Sequence, residues 1–145
     1  HHAKFDEHSF MHYGIIPKGL VFDTLVAAHL ITEDWQRIGL KHLSEYFLHE
    51  PMMTFQEAVM NQGHKTFAQV PLALATEYAA SDAHQTFQLY PILIEALLKQ
   101  DMEKLYRDIE FPLIEILRDM EYRGIFVDTE ILKTLDAKII EELDI

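Results

Sequence analysis

The chain has 145 residues, 49% hydrophobic and 25% charged, a composition that suits a globular core and not a disordered chain. It has no cysteine, which excludes disulfides and cysteine-based zinc sites, and no apolar run long enough to span a bilayer. The net charge of −12 divides into −5 over residues 1–100 and −7 over residues 101–145, so neither part is a basic surface of the kind that holds duplex DNA by neutralising phosphates.

The first residues, His1-His2, are either native or the remnant of a tag. Residues 4–13 read as a short helix with Phe5, Phe10 and Tyr13 as its apolar side and Gly14 as its stop. Leu20-Val21-Phe22, preceded by Pro17 and Gly19, reads as a brief strand. Asp23 or Thr24 can cap a helix that runs to about Ile31. Thr32-Glu33-Asp34 breaks the pattern, and Trp35 is expected to pack at a helix boundary. A helical stripe from Ile38 to Leu48 predicts a helix over about 39–49, ended by Pro51. Thr54-Phe55-Gln56-Glu57 has capping-box spacing. Asn61-Gln62-Gly63-His64-Lys65 is polar and turn-like, a candidate lid or substrate-contact loop.

Pro71 suits the first turn of a helix from about Leu72 to Tyr90. A further helix is expected over about 91–99. Leu105, Ile109, Leu113, Ile116, Leu117 and Met120 recur at helical spacing, which predicts a helix over about 102–122. Pro112 should kink it and Gly124 should end it as a left-handed cap. Ile125-Phe126-Val127 reads as extended, and Asp128 or Thr129 caps a last helix running to the end without a stop signal. An ending in mid-helix reads as part of a longer chain. Phe87, Tyr90 and Tyr106 are assigned to the core, and the acidic residues of the last 45 to a solvated helix face.

Tyr78 and Asp82 are four residues apart on a predicted helix, so both project from one face. A carboxylate beside a phenol is a place to hold a divalent ion and orient a water, although such a pair is more often a half-buried ring beside a solvated charge. Phosphodiester hydrolysis by two metal ions needs several carboxylates converging from separate elements, and hard ions such as Mg²⁺ prefer carboxylate and water oxygens. Asp6, at the start of the first helix, is the second acidic candidate. His8 and His12 stand four apart on one helix face, a spacing compatible with zinc. No third ligand is placed near them, so they read as solvent-facing.

Three stretches together resemble a known family. Ala3-Lys4-Phe5-Asp6 is similar to the second motif of the DEDD exonuclease superfamily. Tyr78-Ala79-Ala80-Ser81-Asp82-Ala83 is similar to the third motif of its tyrosine-bearing branch. The segment Ile109-Glu110-Phe111-Pro112-Leu113, followed by Met120-Glu121-Tyr122-Arg123-Gly124-Ile125-Phe126-Val127-Asp128, resembles the opening of the polymerase domain in family A DNA polymerases. That last segment separates this resemblance from ribonuclease D-like enzymes, which share the exonuclease motifs but continue into a different helical module.

The resemblance implies a mostly helical part of an α/β ribonuclease H-like exonuclease fold without its first strands. Residues 1–101 would form the C-terminal part of the exonuclease domain and residues 102–145 the start of the polymerase domain. It implies Asp6 and Asp82 as metal ligands, Tyr78 as the group that orients the attacking water, and two Mg²⁺ or Mn²⁺ ions in a complete site. It further implies a single-stranded DNA 3′ end as partner, proofreading as the reaction, no membrane, and a bacterial cytoplasmic, nucleoid-associated setting. Two departures stand out. His2 occupies the usual Asn position of the second motif. The Asp-x-Glu motif expected before Asp6 is absent, since the triplets Asp101-Met102-Glu103, Asp119-Met120-Glu121 and Asp128-Thr129-Glu130 all follow the third motif. The chain alone is therefore expected to be inactive. A non-catalytic helical interaction module remains the reading from a different class.

Overall fold

A computed structural model describes residues 1–34 and 36–143, and the described residues are mostly helical without a strand. Trp35 lies outside them. In chain order the helices are α1 (Ala3–Met11), α2 (Thr24–Ile31), α3 (Leu40–Leu43), α4 (Leu72–Lys99), α5 (Glu103–Leu105), α6 (Phe111–Arg123) and α7 (Thr129–Glu142). π turns at Ser44–Leu48, Gln56–Met60 and Tyr106–Glu110 and a 3₁₀ turn at Phe67–Gln69 complete the backbone.

The core forms where α2 crosses α4. Ala27 and Ala28 of α2 meet Leu89, Leu93 and Leu97 of α4, with Leu43 and Tyr106 closing the cluster. The three α4 leucines recur every four residues, so one stripe of the helix is buried. The alanines let the two helix axes approach closely. Tyr106 donates no apolar edge to water: burial pushes its phenol well above the ordinary range, and its hydroxyl accepts a 2.8 Å hydrogen bond from the Asp23 backbone N–H. A second, smaller cluster of Ala58, Val59 and Val70 packs beneath Leu74, Ala75 and Tyr78.

Several local expectations hold. Asp23 caps α2 by accepting from Leu25 N–H at 2.7 Å. Asp128 caps α7 by accepting from Glu130 and Ile131 N–H. The Thr54–Glu57 capping box forms in both directions, Thr54 N–H to Glu57 Oε2 at 2.7 Å and Glu57 N–H to Thr54 Oγ1 at 3.2 Å. The backbone bond comes first among the causes that hold the Glu57 carboxyl below its usual value. Residues 61–65 form a turn closed by Gly63 N–H to Met60 O and His64 N–H to Val59 O.

Other expectations change. Leu20-Val21-Phe22 is irregular rather than a strand; a strand needs a ladder partner, and none exists among the described residues. Phe22 instead packs on Tyr90 and Tyr106, with ring centroids 5.0 and 4.9 Å away. α4 continues through Pro91 as one helix of 28 residues. Pro91 is exposed, so its missing hydrogen bond lies on the solvent side while Leu89 and Leu93 hold the axis to the core. Pro112 stands in the first turn of α6, directly after the π turn Tyr106–Glu110, a position that tolerates its missing N–H. Gly124 ends α6 at φ 71°, ψ −170°, an extended positive-φ state open essentially to glycine only, and not the left-handed helical cap. α1 turns its expected apolar side outward: Phe5, Phe10 and Tyr13 are exposed, whereas Ala3 and Glu7 are buried. In α6 the buried residues are Ile114 and Arg118, and Ile116, Leu117 and Met120 face solvent. Tyr106 is in the core as expected, but Phe87 and Tyr90 are exposed, Tyr90 meeting the core through its edge-on contact with Phe22.

Candidate active site

Tyr78 and Asp82 lie one turn apart on α4, as i,i+4 spacing requires. Both are half-buried. Tyr78 is seated by the smaller cluster and by Phe67, whose ring centroid is 5.5 Å away; Phe55 in turn stacks on Phe67 at 6.3 Å. The capping box at Thr54 fixes the start of the turn that carries Phe55, so a local sequence signal ends in the placement of this aromatic row. Asp82 O accepts from Thr86 Oγ1 at 2.8 Å within α4, and Asp82 Oδ1 accepts from Lys41 Nζ at 3.3 Å. The same ammonium sits 4.4 Å from the centroid of the Tyr78 ring.

Asp6 is on α1, exposed to solvent. Its carboxyl is pushed above the usual aspartate value despite that exposure. Desolvation by the atoms on its inner side is the largest cause and outweighs the pull of the chain's first amine and of His2, while Asp23 pushes the same way. The helix beneath Asp6 is held at two points. His2 and Ala3 N–H donate to the two Asp23 carboxylate oxygens at 3.1 and 2.6 Å. His2 itself has φ 64° and supplies no side-chain cap, so the acceptor for the α1 N-terminus comes from the start of α2. On the buried face, Arg118 Nη1 donates to Glu7 Oε2 at 2.7 Å, and both side chains are nearly covered, 11% and 7% exposed. His8 Nε2 lies 2.9 Å from Arg118 O, and Lys4 bridges to Glu121. α1 therefore rests on α6.

Tyr78 and Asp82 are thus brought together, and no hydrogen bond or ion pair joins Asp6 to them. Among the described residues no group of three or more His, Asp or Glu side chains could hold a metal ion. His8 and His12 do not form a chelate: the rings pack edge-on against Tyr122. The donor chemistry of Asp6 and Asp82 is that of a hard divalent cation, but the residues present do not fit one by themselves, because Asp82 is already paired with an ammonium. Lys41, Asp23, Glu7 and Arg118 carried no signal as site residues. Asp23 was visible as a cap of α2; its second role, and the Lys41–Asp82 and Glu7–Arg118 contacts, join residues 20 to 111 positions apart and have no local pattern.

A family model described as 3′-5′ exonuclease, of the DNA polymerase A type, matches residues 1–98. The chain belongs to this exonuclease family. The matched span includes Asp6, Tyr78 and Asp82. Among curated relatives of this exonuclease family member, the DNA polymerase I of Chloroflexus aurantiacus is 41% identical over 140 residues, covering 93% of this chain and 14% of the relative. That of Treponema pallidum is 36% identical over 137 residues, with 93% and 14% covered, and that of Borreliella burgdorferi 33% over 130 residues, with 90% and 14%. The chain spans about one seventh of the length of these relatives.

Proposed function

We propose that this exonuclease segment serves a DNA polymerase I that removes nucleotides from a single-stranded DNA 3′ end, as proofreading during replication and repair requires. The observation that carries the reading is the Tyr78–Asp82 pair on one face of α4, inside the span that matches the family. Asp6 and Asp82 are its metal-binding carboxylates, and Tyr78 orients the attacking water. The complete site takes two Mg²⁺ or Mn²⁺ ions and draws its remaining carboxylates from an Asp-x-Glu motif outside these 145 residues, on strands of a ribonuclease H-like sheet. The segment alone is therefore inactive. Residues 1–101 belong to the exonuclease domain and 102–145 open the polymerase domain. That boundary is one of ancestry and not of packing, since Tyr106 is part of the main core. The reading carries with it a bacterial cytoplasmic, nucleoid-associated setting; no helix among the described residues is long and apolar enough to cross a membrane.

The test is Asp82→Ala in the longer protein. Mg²⁺-dependent degradation of single-stranded DNA should fall by more than the roughly 10–100-fold that loss of an outer-shell partner costs a metal site. Undiminished degradation removes the assignment. A non-catalytic helical module is the second reading, favoured by the lack of a gathered ligand set among the described residues; it is the outcome if the longer protein shows no nuclease activity at all.

A further inference from the structure

Asp6 stands on a helix whose rotation is set by charge and not by apolar surface. Hydrophobic burial alone would turn Phe5 and Phe10 of α1 inward, yet both are exposed, and the side that meets α6 carries Glu7. Arg118 of α6 holds this side at two consecutive residues. Its Nη1 donates to Glu7 Oε2 at 2.7 Å, and its backbone oxygen accepts from His8 Nε2 at 2.9 Å. The guanidinium is aimed by a second anchor, since Nε and Nη2 both reach Asp119 Oδ1 at 2.9 Å. A planar fork committed on two sides has little freedom to follow Glu7 elsewhere. Lys4, one turn before His8, bridges to Glu121. Successive helix residues are about 100° apart, so any turn of α1 about its axis carries Asp6 with it. The span that matches the exonuclease family ends at residue 98, and Arg118 lies beyond it.

We propose that Arg118 is a positioning residue for Asp6: through Glu7 it fixes the rotation of α1 that keeps the Asp6 carboxylate on the outer face. The inference rests on the reading of Asp6 as a working carboxylate of the exonuclease. A competing packing is at hand on the same helix. Rolling α1 to bury Phe5 would gain apolar area, but it would draw Glu7 away and leave Arg118 without its buried partner, which is strongly unfavourable. Two apolar side chains in place of the ions would hold the helices together and accept either rotation, because apolar burial has no direction. The ion pair has one. Stability and position are therefore separable at this contact. A residue of the segment that opens the polymerase domain thus sets the geometry of an exonuclease residue.

In the longer protein, Arg118→Met should lower kcat for degradation of single-stranded DNA by about 100-fold, the scale of a misplacement of about 1 Å, with KM for DNA little changed. Arg118→Lys, which keeps the charge, should recover part of that loss. Glu7→Leu with Arg118→Met should keep the low kcat while regaining stability to urea. In the 145-residue chain at one fixed pH, the ring protons of His8 and His12 report the rotation, because both rings stand edge-on to Tyr122 at 6.2 and 6.0 Å. Arg118→Met should move them toward the positions they take in Tyr122→Leu. Unchanged kcat in Arg118→Met, a double variant that recovers kcat together with stability, or histidine ring protons that stay in place overturns the proposal. If Arg118→Met does not fold, Glu7→Gln replaces it. The exonuclease reading fails separately: a longer protein without nuclease activity removes the reaction, while the histidine ring protons still decide whether Arg118 sets the rotation of α1.

Discussion

Asp6 is exposed, yet its carboxyl behaves as a partly desolvated group. Its folded-state carboxyl titrates above the unfolded value, mainly through desolvation. A raised carboxyl favours the protonated form in the folded chain, so the folded state takes up this proton first as pH falls. The contribution to stability is fully present below the unfolded value and is lost as pH rises through the folded one. A carbon-detected NMR titration should place the Asp6 midpoint above that of an unstructured aspartate, and Asp23→Asn should lower it, since Asp23 adds to the shift. A midpoint at or below the unstructured value contradicts the desolvation account. Asp6, Tyr78 and Asp82 were all legible in the sequence because each sits in a short pattern of fixed spacing. Lys41 was not, because a lysine becomes a counter-ion only when tertiary packing delivers it, and nothing in Gly39-Leu40-Lys41-His42 announces α4.

Between elements, the contact of α1 with α6 has an unusual character, since the best-buried polar contact in it is the Glu7–Arg118 ion pair. Breaking a buried pair from one side strands the other charge. Arg118 also reaches the exposed Asp119, so the site is not sealed from water, and Arg118→Met should cost about 3 kcal/mol, the lower end for such pairs. Glu7→Leu combined with Arg118→Met should recover most of that loss; urea denaturation of the single and double variants measures both. A double variant as unstable as the single one would assign the effect to lost packing and not to the charge. The elements themselves were largely legible: the caps at Asp23, Thr54 and Asp128 are local chemistry and formed as the residue types demand. The faces were less so. Apolar spacing pointed α1 and α6 the wrong way round, because the pair that decides their rotation is charged, and hydrophobic periodicity cannot register a buried carboxylate whose partner stands 111 residues away. The proline at 91 misled for a related reason, as burial on the opposite face of α4 outweighs one missing hydrogen bond.

Across the whole molecule, α7 and the link before it leave much apolar surface in water. Phe126 is 91% exposed, and Ile125, Ile131, Leu132 and Leu135 are exposed with it. Apolar patches of this extent drive association. Sedimentation of the chain should show weight-average mass rising with concentration, and Phe126→Ser with Leu135→Gln should hold it closer to the 17.0 kDa of one chain. Concentration-independent monomer in the unaltered chain would refute this. The net charge of −12 opposes association, so added salt should strengthen it.

The double duty of the Asp23 carboxylate has a consequence for how the molecule opens. The amides of Ala3 and Leu25 share one acceptor group, and the Asp23 amide is tied to Tyr106 in the core. Fraying of α1 and loosening of the first turn of α2 are therefore one event and not two. In native-state hydrogen exchange, the amides of Ala3 and Leu25 should become exposed with similar free energies and respond alike to denaturant, as members of one cooperative unit. This binds the mobility of the helix that carries Asp6 to that of a helix packed at the centre of the molecule.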